Sequence, residues 1–270
     1  MTDTPTPKHY RRFPVRIRQV EVVAKKQLSP TMLRITFGGE GARGFESGIF
    51  DEHVKLIFTD PSTGELRLPQ QVGDKLEWPT PKPVGREYTI RKHRPESHEF
   101  DIDFVVHGEG LAGSWAENCT IGDRLHVAGP PGGWEISRDY DFYVLAGDET
   151  GLPSMARFLE EADPGMKGTV VVEVPDKHSE IDLADHPGFT VTWVHNHGKA
   201  STVLADTVTA TDIPHGASVF VWLAGEAAAI KPLRGWIKHD LQLQRGDISV
   251  TGYWKRGAED THEHLDRDEG

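Results

Sequence analysis

The chain has 270 residues, with 30 basic against 42 acidic side chains, a formal net charge of −12, and 37% hydrophobic residues. At roughly 100–200 residues per domain that length suggests about two domains, and the acidic surplus excludes a general nucleic-acid binder. No run approaches the roughly 18 apolar residues of a membrane helix, so membrane insertion is not expected.

The first thirteen residues, MTDTPTPKHYRRF, hold no apolar stretch of the kind a secretory signal carries, so the cytoplasm is the expected location. A single cysteine, Cys119, excludes an intramolecular disulfide, a cysteine-rich zinc site and a self-contained iron–sulfur cluster. Any redox chemistry therefore falls to a non-thiol cofactor. The 14 histidines are scattered, and no metal site is expected from them.

In chain order, the first feature is a basic bias between Lys8 and Arg34, where eight cations face only Glu21. Its alternation with Val15, Ile17, Val20 and Val22 reads as the solvated face of a strand, and a docking patch is the sharper alternative. Leu33, Ile35 and Phe37 alternate, as do Val54, Leu56 and Phe58. Further strand runs are 88–91, 100–107 and 124–128. Closely spaced strands with one short helical candidate, 114–118, predict a barrel or sandwich up to Gly133.

After Gly133 the rhythm changes. Strands are predicted at 140–146, 168–174, 190–195, 218–224 and 247–253, with helices at 153–162, 202–208 and 227–243. That alternation predicts an α/β domain with a mostly parallel sheet. The domain boundaries read as 10–133, 139–257 and an acidic, disordered tail at 258–270, which holds six acids and one Arg.

Two segments match G-x-G-x-x-G, at 39–44 and 108–113, and neither has the context of a dinucleotide fingerprint. The first is followed by no amphipathic helix. The second leaves too little chain before the strand near Arg124, which ends in Gly129-Pro130 where an acid belongs. It survives as a glycine loop whose N–H groups, with the Ser114 hydroxyl, suit a phosphate. The turn Gly147-Asp148-Glu149-Thr150-Gly151 lies at the carboxyl end of a strand and opens a helix. A phosphate there would use Thr150 and the helix N–H groups, and capping by Thr150 is the equal alternative.

Arg86-Glu87-Tyr88-Thr89-Ile90-Arg91 resembles the R-x-Y-[ST] motif of ferredoxin-reductase-like flavoproteins. The residue types suit a flavin dinucleotide. A guanidinium pairs with a diphosphate, an aromatic face covers the ring system, and a hydroxyl reaches its polar edge. In order follow Asp101–Gly108, Gly113-Ser114-Trp115-Ala116, Gly122-Asp123 and Ala128-Gly129-Pro130. Then come Leu145–Thr150 with Leu152-Pro153, Trp222–Glu226 and Gly252–Gly257. From about Arg16 to Gly257 this series resembles the siderophore-interacting proteins, the FAD-dependent ferric-siderophore reductases of bacteria.

The resemblance implies a ferredoxin-NADP reductase-like fold, with an N-terminal six-stranded antiparallel β-barrel that binds flavin and a C-terminal α/β domain with a parallel sheet. It implies bound FAD held by Arg86, Tyr88 and Thr89. Asp103, Val105, Val106 and His107 would run beside its ribityl and adenosine parts, and Ala112, Gly113 and Ser114 would bind its pyrophosphate. Asp148, Glu149 and Thr150 would face the flavin and the nicotinamide nucleotide, with Trp222, Gly225 and Glu226 lining the nicotinamide side.

The substrate is expected to be a ferric siderophore, met by Lys55, Lys255 and Arg256, with no catalytic acid or base required. Relatives often carry a basic residue where this chain has Pro131, so the pocket is expected either to be less basic or to take its third cation from Arg245 or Arg91. The expected chemistry is hydride transfer from NAD(P)H to FAD, then two one-electron transfers to Fe(III). NADPH is the favoured donor, because Lys177 and His178 suit a 2′-phosphate. NADH is the alternative, since Asp176 opposes one. A monomer is the favoured state. The competing readings are a flavin reductase serving a ferredoxin or flavodoxin through the Lys8–Arg34 bias, and a non-catalytic siderophore- or flavin-binding protein.

Overall fold

The structure is a computed structural model that describes residues 8–106, 108, 110–257 and 263–264. It divides into two compact units, Tyr10–Trp134 and a second formed by the chain from Glu135 onward with the residues up to His9.

The first unit is built on seven antiparallel strands. Their order is Gly85–Thr89, His53–Ile57, Arg124–Ala128, Ile17–Ser29, Met32–Gly38, Glu99–Val105 and Lys92–Arg94. Alternation sends Val20, Val22, Leu33, Ile35, Phe37, Val54, Leu56, Phe100, Ile102, Phe104, Leu125 and Val127 into one core. The helix Leu111–Asn118 packs Ala112 and Ala116 on that core. Lys25 closes the helix end by donating Nζ to the Glu117 carbonyl at 2.7 Å and the Cys119 carbonyl at 3.0 Å. A cation there also complements the helix dipole.

The expected six-stranded barrel is corrected to a seven-stranded sheet that is not closed by a hydrogen-bonded ladder. The run predicted as one strand at 88–91 belongs to two. Gly85–Thr89 and Lys92–Arg94 are the opposite edges of the sheet, separated in sequence only by Ile90 and Arg91. A flat seven-strand sheet is about 29 Å across, and three Cα steps reach about 11 Å at most. The sheet must therefore roll until its edges approach. The crossing is visible in the backbone: Ile90 N donates to Glu52 O at 3.0 Å on one side, and Arg91 N to Asp101 O at 2.9 Å on the other.

The second unit holds five parallel strands in the order Phe189–His195, Gly168–Val174, Phe142–Asp148, Val219–Glu226 and Ile248–Trp254. The two-residue strand Glu263–His264 pairs antiparallel with the last of them. The remainder of the tail expected to be disordered lies outside the described residues. Every residue of Gly168–Val174 is buried, as befits a parallel strand covered on both faces. Helices Leu152–Glu161 and Val203–Thr209 fall close to their expected places.

The helix expected at 227–243 is broken into Ala227–Ile230, Leu233–Gly235 and a wider π-type turn, Trp236–Asp240. The cause is Pro232, which has no N–H to continue the ladder. Among the described residues no helix is long and apolar enough to cross a membrane.

Candidate functional site

In the first unit the residues of interest converge on one strand and one helix start. Register places Arg86 opposite Leu56 and Tyr88 opposite Val54, whereas Lys55 stands opposite Glu87. Arg86 and Tyr88 are thus on one face of the sheet and Lys55 on the other. Tyr88 is half-buried, with its ring centroid 4.5 Å from that of Phe104, which lies 6.1 Å from Trp115 on the Leu111–Asn118 helix. Burial pushes the Tyr88 phenol up to about 12, against the opposing pull of Arg86, so it stays protonated and able to donate. Arg86 donates Nη1 to the Gly85 carbonyl at 2.9 Å. Thr89 is buried.

The glycine loop leads into the helix through Gly108 and Gly110, at φ 74° and 94°. Among the described residues no side chain caps the helix at Gly110, and its first N–H groups have no partner within the helix. Ala112 and Gly113 are buried and Ser114 half-buried. A Cβ on Gly113 would sit 3.2 Å from the Val105 carbonyl, so glycine lets the helix start lie close on the strand end. Val106 is core, Val105 is half-buried, and His107 lies outside the described residues. A guanidinium, a protonated phenol, a hydroxyl and an uncapped helix start form a donor set that fits a flavin dinucleotide.

Asp103 is engaged within the protein. Its carboxylate takes Arg34 bidentately, at 2.6 and 2.7 Å, and Arg91 approaches it at 3.9 Å. Arg91 is buried in that network, whereas Arg245, the other candidate to replace a cation at Pro131, is exposed. Lys55 meets Glu87 at 3.2 Å, and His53 approaches the same carboxylate at 3.7 Å.

Of the eight cations in the basic bias near the amino terminus, Arg11, Arg12, Lys25 and Lys26 are exposed, and at least five bond within the protein. Arg16 binds Asp74 and the Gly73 carbonyl, and Arg18 the carbonyls of Gly41, Arg43 and Gly44. Lys25 caps the helix, Arg34 binds Asp103, and Lys8 reaches the Ile248 carbonyl. These cations fasten the fold.

In the second unit the carboxyl ends of three adjacent strands meet at Asp148. Its Oδ1 accepts from Thr150 N at 2.8 Å and Thr150 Oγ1 at 2.6 Å. Its Oδ2 accepts from Glu226 N and Trp254 Nε1, each at 2.8 Å. Thr150 therefore does not cap the following helix, whose N-cap is Gly151. Glu226 instead caps Ala227–Ile230, accepting from Ala229 N at 2.8 Å with Oε2 and from Arg256 N at 3.1 Å with Oε1. The Arg256 guanidinium lies 5.7 Å from the centroid of the Trp254 ring.

Gly225, at φ 148°, leaves the room this corner needs, since a Cβ there would stand 2.8 Å from the Asp148 carboxyl carbon. Glu149 is half-buried, and Lys255 and Arg256 are exposed. Trp222 is only 1% exposed and packs in the core, so its ring does not line an open surface. Among the described residues no group of three or more His, Cys, Asp and Glu is placed to hold a metal ion.

Sequence reasoning missed Trp254 as a site residue, although it stands in the Gly252–Gly257 series. Trp254→Phe removes its hydrogen bond to Asp148 while keeping the ring. It is expected to cost about 1–2 kcal/mol, read as a lower urea midpoint with unchanged m-value.

The sheet end, with its glycine turn and the helix start capped by Glu226, defines a nucleotide-binding α/β domain, and the rolled antiparallel domain beside it in sequence carries a flavin-type donor set. Residues 21–134 match the siderophore-interacting FAD-binding domain family and residues 140–257 the siderophore-interacting protein family. The chain belongs to the siderophore-interacting protein family.

It is 35% identical over 253 residues to the ferric vibriobactin reductase ViuB of Vibrio cholerae, covering 93% of each chain. It is 32% identical over 260 residues to the NADPH-dependent ferric-chelate reductase of Escherichia coli, covering 94% of this chain and 99% of that one. The crystal structure of a siderophore utilization protein from T. fusca superposes with a TM-score of 0.88 at 37% identity, over 95% of this chain and 99% of that one.

Proposed function

We propose that this protein is an FAD-containing, NADPH-dependent reductase of ferric siderophores that releases iron as Fe(II). The observation that carries the proposal is the Arg86–Tyr88 strand beside an uncapped helix start, a flavin-type donor set in a chain of this family. Bound FAD supplies the link between a two-electron hydride donor and a one-electron ferric acceptor.

The protein's part is binding and electrostatics. Arg86 pairs with the cofactor diphosphate, Tyr88 covers the ring system, and Thr89 offers a hydroxyl. Ala112, Gly113 and Ser114 receive the pyrophosphate at the helix start. The Asp103–His107 strand borders the rest of the cofactor through its backbone and valines, since the Asp103 carboxylate is taken by Arg34. Asp148, Glu149, Thr150, Gly225 and Glu226 form the corner that takes the nicotinamide nucleotide. Trp222 supports that corner from the core.

Lys55, Lys255 and Arg256 supply positive charge for an anionic ferric chelate on a protein that is acidic overall. In this reading the enzyme acts in the cytoplasm, as a monomer, on imported siderophores.

An anaerobic visible spectrum of the FAD-loaded protein tests the function. NADPH should bleach the flavin, and a ferric siderophore should restore its colour while a ferrous-specific dye traps iron(II). Flavin that stays oxidised with NADPH would overturn the reductase reading.

Lys55→Ala removes a cation and leaves Glu87 without that partner. KM for an anionic ferric siderophore is expected to rise about threefold to tenfold, with a smaller change for a neutral ferric chelate. Equal changes for both substrates would remove Lys55 from the substrate site.

A further inference from the structure

Glu173 stands at the carboxyl end of Gly168–Val174, paired in register with Asp148 on the next strand. It is 6% exposed. Its Oε2 accepts from Asn196 Nδ2 at 3.0 Å, while its Oε1 is buried with no hydrogen-bond partner among the described residues.

The contrast with its neighbour is sharp. Asp148 accepts on both oxygens, four hydrogen bonds in all. Two adjacent carboxyl groups in a poorly solvated corner do not both ionise readily, and the one with fewer donors keeps the proton. Burial, and then the Asp148 charge, push the Glu173 carboxyl up. Asn196, the Leu204 N–H at the start of Val203–Thr209, and Arg256 pull it down.

We infer that Glu173 is a positioning residue of the nicotinamide-nucleotide corner: protonated, it keeps the corner receptive to an anionic dinucleotide, and ionised, it weakens that binding. The inference rests on the proposal that this corner takes NADPH. With Glu173 neutral, the corner holds the acids Asp148, Glu149 and Glu226 and the cation Arg256, a formal net charge of about −2. Ionising Glu173 brings this to about −3 beside a ligand that carries a diphosphate and a 2′-phosphate. The groups facing Glu173 are Asp148 from one neighbouring strand, Asn196 after the other, Leu204 N–H from the helix above, and Arg256 after the Ile248–Trp254 strand.

The test is NADP⁺ binding by calorimetry to the FAD-loaded protein from the ordinary glutamate value of 4.5 upward to about pH 8, for the wild type and Glu173→Gln. The amide cannot ionise, and its carbonyl still accepts from Asn196. The two proteins should bind alike at the acidic end, and the wild type about fivefold more weakly at the alkaline end. The ratio of the two constants cancels the titration of the ligand's own phosphate.

A ratio that does not change with pH, with NADP⁺ bound by both proteins, would overturn the role of Glu173 alone. A protein that takes FAD but binds no NADP⁺ at any pH would overturn the nucleotide corner and this inference with it. Should the variant not fold, infrared difference spectra of the wild type decide the matter. Loss of a protonated-carboxyl C=O band on raising the pH across this range supports the inference, and its absence overturns it.

Discussion

Asp148→Ala is expected to lower stability by about 3–5 kcal/mol and to raise KM for NADPH at least tenfold. The size follows from geometry. One carboxylate receives the Thr150 N–H and hydroxyl, the Glu226 N–H and the Trp254 indole N–H. Alanine leaves donors from three segments without their acceptor in a site that is 9% exposed. Each unsatisfied buried donor costs about 1–3 kcal/mol, and partial rehydration keeps the total below a simple addition. Asp148→Asn should fall between, because its oxygen can still serve Thr150 while its NH₂ meets the donors of Glu226 and Trp254. Urea denaturation gives the stability and initial rates give KM. An alanine variant as stable as the wild type would show that these four bonds do not hold the corner together.

Arg86→Ala is expected to weaken FAD about 30- to 100-fold, the value of a charge-assisted, two-pronged contact to a diphosphate. Arg86→Lys should recover only part of this, because an ammonium matches a phosphate as a point charge and not as a fork. Quenching of flavin fluorescence on titration into the apoprotein reads the constant directly. The core contributes little to the difference, since Arg86 is half-buried and lies at an edge strand. Unchanged FAD affinity in the alanine variant would remove Arg86 from the cofactor site.

Much of the parallel sheet was legible because its signal is local. The apolar run at 168–174 is a strand buried on both faces, and such runs declare themselves without a partner. The rolled sheet was less legible. Nothing in the periodicity of 88–91 reveals that Thr89 and Lys92 belong to opposite edges, since strand order is a long-range property. Pro232 is plain in the sequence, yet the amphipathic pattern around it outweighs it on paper, although a missing N–H breaks the ladder whatever the pattern.

The site shows the same division. Residue types suited to a flavin and a nucleotide stand out in short motifs, but their partners do not. Asp103 looks available in the sequence, and only the fold brings Arg34, 69 residues away, to occupy it. Trp254 acquires its role only through Asp148, 106 residues earlier. Glu173 does carry a local signal: a lone acid in a strand otherwise made of glycine, threonine and valine demands an explanation for its burial.

The crossing at Ile90 and Arg91 has a consequence for how the first domain comes together. One short stretch of chain must find partners on both margins of the sheet, near Glu52 on one side and Asp101 on the other. Such a closure is entropically late, because it waits for strands distant in sequence to be assembled first. The same stretch follows directly on Arg86, Tyr88 and Thr89. On the proposed reading, FAD held there would add its binding free energy to this seam.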